Sequence, residues 1–175
     1  MITLIAATNR PNSYTKKLAD YYHLQLAKHD IIHGYFSLEG LPPDLFTQNM
    51  YDYRHNEAFY NIQKNILYPA TKYIFIVPEY NGSFPGIFKA FIDASDIKGC
   101  FYNKKAALVG VSDGRAGNLR GMEHLTNILN HIKMNVLHLK IPISNISNQF
   151  NSEGHFINAE IAGLIDLQIE LMQAF

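Results

Sequence analysis

The chain has 175 residues, of which 47% are hydrophobic and 17% are charged, a composition typical of a globular protein rather than a disordered one. Its 15 basic and 15 acidic residues give a formal net charge of zero, so there is no electrostatic case for nucleic acid or an anionic membrane as partner. No apolar run approaches the roughly 20 residues that are needed to span a bilayer.

Cysteine usage and the first residues indicate the compartment. The single cysteine, Cys100, excludes an intramolecular disulfide and fits a reducing environment. The chain starts without the basic leader of a signal peptide. We therefore expect a cytoplasmic protein in which Cys100 is a small apolar filler near a loop rather than a nucleophile.

Strands and helices alternate along the chain. Apolar runs predict strands near 2–7, 31–36, 72–78, 105–111 and 134–138. The 3.6-residue spacing of apolar positions predicts helices near 13–28, 55–66, 86–93, 117–131 and 158–173. Such alternation predicts one α/β domain with a parallel sheet, helices on both faces and right-handed crossovers.

A first polar loop, residues 8–15, lies between the first predicted strand and the first helix. Arg10 supplies a guanidinium, and Thr8, Ser13 and Thr15 supply short hydroxyl donors. Ser13 or Thr15 would cap the helix, whose free amides and dipole favour an anion such as a terminal phosphate. The loop matches neither the dinucleotide fingerprint nor the P-loop, and the alternative is a capped helix with a solvated arginine.

A second loop, residues 78–86, follows the buried strand 72–78. Asn81 and Gly82 tolerate positive φ and predict a tight turn whose backbone amides point outward. A rigid loop at the carboxyl end of a buried strand is where open α/β sheets bind flat ligands. The alternative interpretation is an ordinary strand-to-helix turn.

A third loop, residues 112–117, follows the strand 105–111. Its two glycines, Gly114 and Gly117, permit close approach of the backbone to a ligand. This signal is weak alone. Three polar or glycine-bearing loops, each between a strand and a helix, indicate a site more strongly than any one of them.

With these loops, the chain resembles the NADPH-dependent FMN reductase family, a flavodoxin-like group that includes quinone, azo-dye and chromate reductases. Residues 8–15 resemble its phosphate loop, usually G-S-x-R-x-x-S-x-[NST] when begun one residue earlier. Residues 78–89 match its P-E-Y-N-x-S-x-P-G-x-[LF]-K signature, and residues 112–117 resemble its third flavin-contacting loop. Residues 150–156 resemble the short F-x-x-x-G segment that precedes the last helix in this family. Ala7 departs from the pattern, because a glycine is common there.

The resemblance implies a flavodoxin-like three-layer α/β/α sandwich with a five-stranded parallel sheet of order 2-1-3-4-5. Residues 1–175 would form a single flavodoxin-like FMN-binding domain. The first loop would hold the FMN phosphate, the second would border the isoalloxazine, and the third would approach its pyrimidine edge. The expected cofactor-binding residues are Thr8, Arg10, Ser13, Tyr14, Thr15, Pro78, Glu79, Tyr80, Asn81, Gly82, Ser83, Ser112, Gly114, Arg115 and Gly117.

The implied function is an FMN-dependent NAD(P)H oxidoreductase. Electrons would pass from NADPH or NADH through FMN to a small acceptor (a quinone, flavin, azo or nitro compound, or metal ion) by a ping-pong mechanism. FMN carries the redox chemistry, and no catalytic side chain is assigned. Two alternatives stay open: a non-enzymatic FMN-binding electron carrier or redox sensor, and a cofactor-free flavodoxin-like interaction module.

The resemblance also implies a homodimer or homotetramer. The long connection from Glu39 to Arg54 is rich in aromatic residues, as functional loops and oligomer contacts often are. It would complete a neighbouring subunit's site, unless it is a surface loop pinned by its own aromatics.

Eight histidines raise the question of a metal site. His124 and His131 could share a helix face, yet no third ligand has suitable spacing, and we expect no metal.

Overall fold

Parallel strands form the central sheet of the computed structural model, which describes residues 1–175. The strands are β1 Ile2–Ala6, β2 His33–Ser37, β3 Lys72–Pro78, β4 Lys105–Val111, β5 Asn135–Val136 and β6 Ile141–Ile143. Their order is β2-β1-β3-β4-β5, and β6 also pairs with β4, further along that strand. The predicted strand order is confirmed.

Helices cover both faces of this sheet. They are α1 Tyr14–Lys28, α2 Glu57–Ile62, α3 Gly86–Ala94, α4 Ile97–Cys100, α5 Leu119–His131 and α6 Ala159–Ala174. A π-helical turn, Gln63–Leu67, continues α2, and 3-10 turns span Leu38–Gly40 and Ile146–Gln149. Every predicted helix is present, and only the short α4 was not predicted. None of the helices has the length and hydropathy that a bilayer-spanning segment needs.

Two apolar cores separate these layers. Along β1, Leu4 packs with α1 and α6 on one face, whereas the next residue, Ile5, packs with α3 and α5 on the other. Both faces of the central strands are covered, which explains why β3 and β4 are almost continuously apolar. The three-layer α/β/α sandwich is therefore confirmed.

The fifth predicted strand is wrong in one respect, because the structure divides this region into two short strands along β4. Asn135 and Val136 pair with the start of β4, and residues 141–143 pair with its end. The Leu137 N–H still donates to the Ala106 carbonyl of β4 (2.8 Å), but the chain then leaves the ladder, and the Leu139 carbonyl accepts a hydrogen bond from Nε2 of Gln168 (2.9 Å). β6 was not predicted, because Pro142 at its centre lacks an N–H donor. A proline is nevertheless tolerated in an edge strand such as β6.

A buried glutamine anchors the long loop that follows β2. Nε2 of Gln63 donates to the Tyr53 carbonyl (3.0 Å), and its Oε1 accepts from the Asp96 backbone N–H (2.8 Å). Gln63 is fully buried, so this one side chain ties the loop to the junction between α3 and α4.

Cys100 lies beside this glutamine, with its Sγ 3.6 Å from Oε1 of Gln63. It is fully buried, and burial raises the pKa of its thiol to about 12. A thiol with a raised pKa and no access to solvent is a packing residue, in line with the expectation from the sequence.

The substitution Gln63→Leu keeps the side-chain volume but removes both hydrogen bonds. We expect the free energy of unfolding to fall by about 1–3 kcal/mol, because two backbone groups lose their partner. Urea denaturation followed by circular dichroism measures this loss. Gln173→Leu, on the exposed side of α6, is the matched control and should stay within about 0.5 kcal/mol of the parent. Equal stability of the two variants would contradict the anchoring role.

Alkylation of Cys100 tests its burial. Iodoacetamide should label the native protein very slowly up to about pH 10, because the thiol stays protonated and buried until the pH nears its raised pKa. Mass spectrometry of the native and the urea-unfolded protein, sampled over time, compares the two rates. Native labelling as fast as that of the unfolded chain would show that Cys100 is accessible.

Candidate functional site

A cleft of about 400 Å³ opens at the carboxyl edge of the sheet, where the loops after β1, β3 and β4 meet. These loops converge because β1, β3 and β4 are neighbours and run parallel. The cleft is lined by Arg10, Pro11, Asn12, Ser13, Tyr14, Thr15, Pro78, Glu79, Tyr80, Val111, Ser112, Asp113 and Ile146.

The structure brings most of the predicted residues of the first two loops into this cleft, but fewer of the third. The predicted residues outside its lining are Thr8, Asn81, Gly82, Ser83, Gly114, Arg115 and Gly117. The lining residues that sequence reasoning missed are Pro11, Asn12, Val111, Asp113 and Ile146. Asn12 has a positive φ of 55°, and Ile146 directly follows Asn145, whose φ is 47°, so both lie at turns.

The first loop presents donors to an anion. Ser13 caps α1, since its Oγ accepts from the Lys16 N–H (3.2 Å). The N–H groups of Tyr14 and Thr15, in the first turn of α1, have no hydrogen-bond partner. Arg10 forms no ion pair. An unpaired guanidinium beside free helix amides is a suitable site for a phosphate group.

Thr8 does not face the cleft as the other predicted residues of the first loop do. It is fully buried and outside the cleft lining. Its Oγ1 accepts from the Arg10 N–H (3.2 Å) and shares a 2.8 Å hydrogen bond with the Tyr80 hydroxyl. The Thr8 hydroxyl therefore links the first loop to the second.

The second loop forms a two-residue hairpin. The Tyr80 N–H donates to the Ser83 carbonyl (2.8 Å), and the Ser83 N–H donates to the Tyr80 carbonyl (3.1 Å). Asn81 and Gly82 both have positive φ, 53° and 75°, as a type I′ turn requires. The tight turn predicted from this pair is confirmed. Tyr80 lines the cleft, whereas Asn81, Gly82 and Ser83 lie outside its lining.

The third loop is held by the last strand. The Ser112 N–H donates to the Ile143 carbonyl (3.0 Å), and the Ile146 N–H donates to the Ser112 carbonyl (3.2 Å), which brings Ile146 to the cleft. A Cβ on Gly117 would lie 2.6 Å from the Ile143 nitrogen, so this glycine allows close packing on β6. Backbone N–H groups from 113 to 117 have no protein partner and are available as donors.

Asn118, directly after the third loop, ties that loop to the end of β3 and was not predicted. It is fully buried, has a left-handed backbone (φ 65°), and donates from Nδ2 to the Val77 carbonyl (3.0 Å). Its Oδ1 has no hydrogen-bond partner. The contact holds the start of α5 against the end of β3, directly before Pro78 and Glu79.

No group of three or more His, Cys, Asp or Glu side chains in the structure could hold a metal ion. The donors at this edge are instead hydroxyls, amides and a guanidinium.

Comparison with known proteins gives related sequences with redox functions. A family model described as NADPH-dependent FMN reductase matches residues 1–148. An NAD(P)H-dependent FMN reductase of Pseudomonas aeruginosa is 29% identical over 139 residues, which are 78% of this chain and 74% of the relative. A 2-hydroxy-1,4-benzoquinone reductase of a Burkholderia species is 23% identical over 163 residues, with 91% and 86% covered.

Solved structures agree on the fold. FerB from Paracoccus denitrificans, a flavoenzyme NAD(P)H:(acceptor) oxidoreductase, has a TM-score of 0.77 at 19% identity, over 97% of this chain and 93% of its own. An archaeal flavodoxin has a TM-score of 0.60 at 12% identity, over 99% and 98%. The fold is therefore flavodoxin-like.

The link between Thr8 and Tyr80 can be measured by a double-mutant cycle. The variants are Thr8→Val, Tyr80→Phe and their combination, each analysed by urea denaturation. We expect a coupling of about 0.5–1.5 kcal/mol in the free energy of unfolding, because each single change breaks the same hydrogen bond. Tyr51→Phe, at an exposed tyrosine without a side-chain hydrogen bond, should change nothing. Strictly additive effects would contradict the link.

Proposed function

Because the chain belongs to the NADPH-dependent FMN reductase family, whose members use FMN with NAD(P)H as electron donor, we propose that it passes electrons from NAD(P)H through FMN to a small acceptor. The observation that carries this proposal is the convergence of three loops on one cleft. At one end of the cleft, Arg10 is unpaired and the amides that begin α1 are free.

The residues of this cleft fit FMN in the chemistry of their donors. A phosphate monoester requires a cation and several N–H donors, which the first loop supplies. A flat ring with a polar edge requires apolar walls and backbone donors. Pro78, Val111 and Ile146 supply the walls, and the free amides of residues 113–117 supply the donors.

We assign the phosphate end to Arg10, Ser13, Tyr14 and Thr15. Thr8 supports this end through its hydrogen bonds to Tyr80 and to the Arg10 backbone. The ring end is assigned to residues 78–83 and 112–115, with Gly117 supporting the third loop from behind.

FMN, when bound, supplies the electron transfer itself, accepting hydride from NAD(P)H and returning electrons to the acceptor. The protein's contribution is placement and electrostatics. The free amides of the third loop would stabilise negative charge on a flavin held in this cleft, without any proton transfer from a side chain. For this reason no side chain of the cleft is assigned as an acid or base.

NAD(P)H and the acceptor would occupy the open side of this cleft in turn, which would make the reaction ping-pong. Acceptors of this kind are planar or small: quinones, flavins, azo or nitro compounds, or metal ions. The quinone class has additional support, since one of the curated relatives is a benzoquinone reductase.

The proposal includes a cytoplasmic homodimer or homotetramer in which residues 1–175 act as one FMN-binding domain. Phe46 and Tyr51, on the long loop after β2, are 37% and 74% exposed. Apolar aromatic side chains in such a position suit a contact with a neighbouring subunit. The loop would thereby complete the neighbour's site.

The phosphate assignment predicts the effect of Arg10→Gln. FMN affinity should fall by about tenfold to a hundredfold, because a charge-assisted contact to the phosphate is lost. Riboflavin has no phosphate, so its affinity should stay unchanged, and quenching of flavin fluorescence measures both. Lys28→Gln, at the other end of α1, is the control. An equal loss for FMN and riboflavin would show that Arg10 supports the loop and does not bind the phosphate.

Steady-state kinetics with NADPH and a benzoquinone test the reaction. A ping-pong reductase gives parallel double-reciprocal lines when NADPH is varied at several quinone concentrations. Intersecting lines would show that NADPH and the quinone are bound at the same time. That result would contradict the proposal that they occupy the same place in turn. A protein that binds FMN but shows no turnover with any of the acceptor classes would be a carrier or sensor.

A further inference from the structure

Unpaired arginines are concentrated beside the cleft. Arg10 lies on the first loop, Arg115 on the third, and Arg120 on the first turn of α5. None of these guanidiniums forms an ion pair or a hydrogen bond. Arg10 is assigned to the phosphate of FMN and Arg115 to the ring end of the cleft, so Arg120 is the arginine that has no assigned ligand.

Two cationic or titratable side chains on α5 contact the hairpin of the second loop. Arg120 reaches Gly82, with Nη1 3.6 Å from the position that a Cβ on this glycine would occupy. His124 is bonded through Nδ1 to Oγ of Ser83 (2.9 Å), and its Nε2 has no partner. The two residues are four apart, so they share one face of the helix.

The acidic groups closest in sequence are already engaged. Glu123 forms an ion pair with Lys140 (2.6 Å), and Asp113 accepts from the Ser147 N–H through Oδ1 (3.1 Å). Arg120 and His124 therefore form an exposed patch that offers an unpaired guanidinium and a free imidazole nitrogen, beside the hairpin of the second loop. Such a patch attracts an anionic group of a molecule that approaches this hairpin.

We propose that Arg120 and His124 bind the 2′-phosphate of NADPH and thereby select NADPH over NADH. NADPH differs from NADH only by this phosphate monoester, and an unpaired arginine is the side chain best suited to it. Arg115, in the loop before α5, adds positive charge beside the pair. The inference rests on the proposed function, because it assumes that the nucleotide reaches the flavin past this hairpin.

The size of the patch favours one phosphate group over the pyrophosphate. Side chains four apart on a helix have Cβ atoms about 6 Å apart, which suits two contacts to a single phosphate. The pyrophosphate is common to NADH and NADPH, so its recognition would not discriminate between them. The two possibilities therefore predict different results for the same variants.

Kinetic selectivity is the first readout. For the FMN-loaded protein with a saturating quinone, kcat/KM should be higher for NADPH than for NADH. Arg120→Gln and His124→Gln should each shift this ratio toward NADH, the arginine variant by about tenfold. Lys133→Gln and His131→Gln, at the far end of α5, are the matched controls and should leave the ratio unchanged.

Equilibrium binding is the second readout and needs no turnover. Calorimetric titration should show that the FMN-loaded parent binds adenosine 2′,5′-bisphosphate more tightly than adenosine 5′-monophosphate. Arg120→Gln should lower the affinity for the bisphosphate by about tenfold and remove this preference. A preference that survives in Arg120→Gln would overturn the proposal.

The remaining outcomes are also decisive. An equal loss of kcat/KM for both nucleotides in Arg120→Gln would assign the patch to the pyrophosphate and contradict the proposal. If the control variants shift the selectivity ratio as much as Arg120→Gln does, the selectivity is a general effect of charge and the proposal is contradicted. If neither nucleotide reduces the flavin, the proposed function fails, whereas the bisphosphate titration still decides whether the patch binds a 2′-phosphate.

Discussion

The pairing of β3 with β1 on one side and with β4 on the other is the constraint on which the site depends. Ala6 is in register with Ile76, and Pro78 with Val111, so the three strands end close together at one edge of the sheet. Their loops must then share a small region, whatever their sequences. The Glu79 N–H extends this ladder by donating to the Val111 carbonyl (2.8 Å). The buried, apolar β3 thus fixes where a ligand can bind.

Hydrogen bonds between the loops add the finer geometry. Thr8 links the first loop to Tyr80, Asn118 links the third loop to the end of β3, and Ser112 links it to β6. These contacts use buried or half-buried groups, whose partners are costly to remove. Other polar groups at this edge, including the amides that begin α1 and the guanidinium of Arg10, have no such partner. The loops are therefore held by one set of groups and leave another set free for a ligand.

Local sequence signals predicted the three strands whose loops form the cleft and the tight turn in the second of these loops. The apolar runs of β1, β3 and β4 are long, and the positive φ of Asn81 and Gly82 follows from their residue types. Features that depend on distant contacts were not predictable. Ile146 reaches the cleft only because β6 pairs with β4, and Thr8 was expected to face a phosphate, whereas its hydroxyl is bonded to Tyr80. Nothing in the sequence near Asn118 indicates its bond to Val77.

An anaerobic titration of the FMN-reconstituted protein with NADPH, followed by visible absorbance, decides whether the three loops form a flavin site that a nicotinamide nucleotide can reach. Flavin should co-elute with the protein, and its absorbance should bleach within seconds of adding NADPH and return when a quinone is admitted. Flavin that binds but is not bleached by either NADPH or NADH would contradict a reductase. A protein that takes up no FMN would show that the cleft has a different ligand.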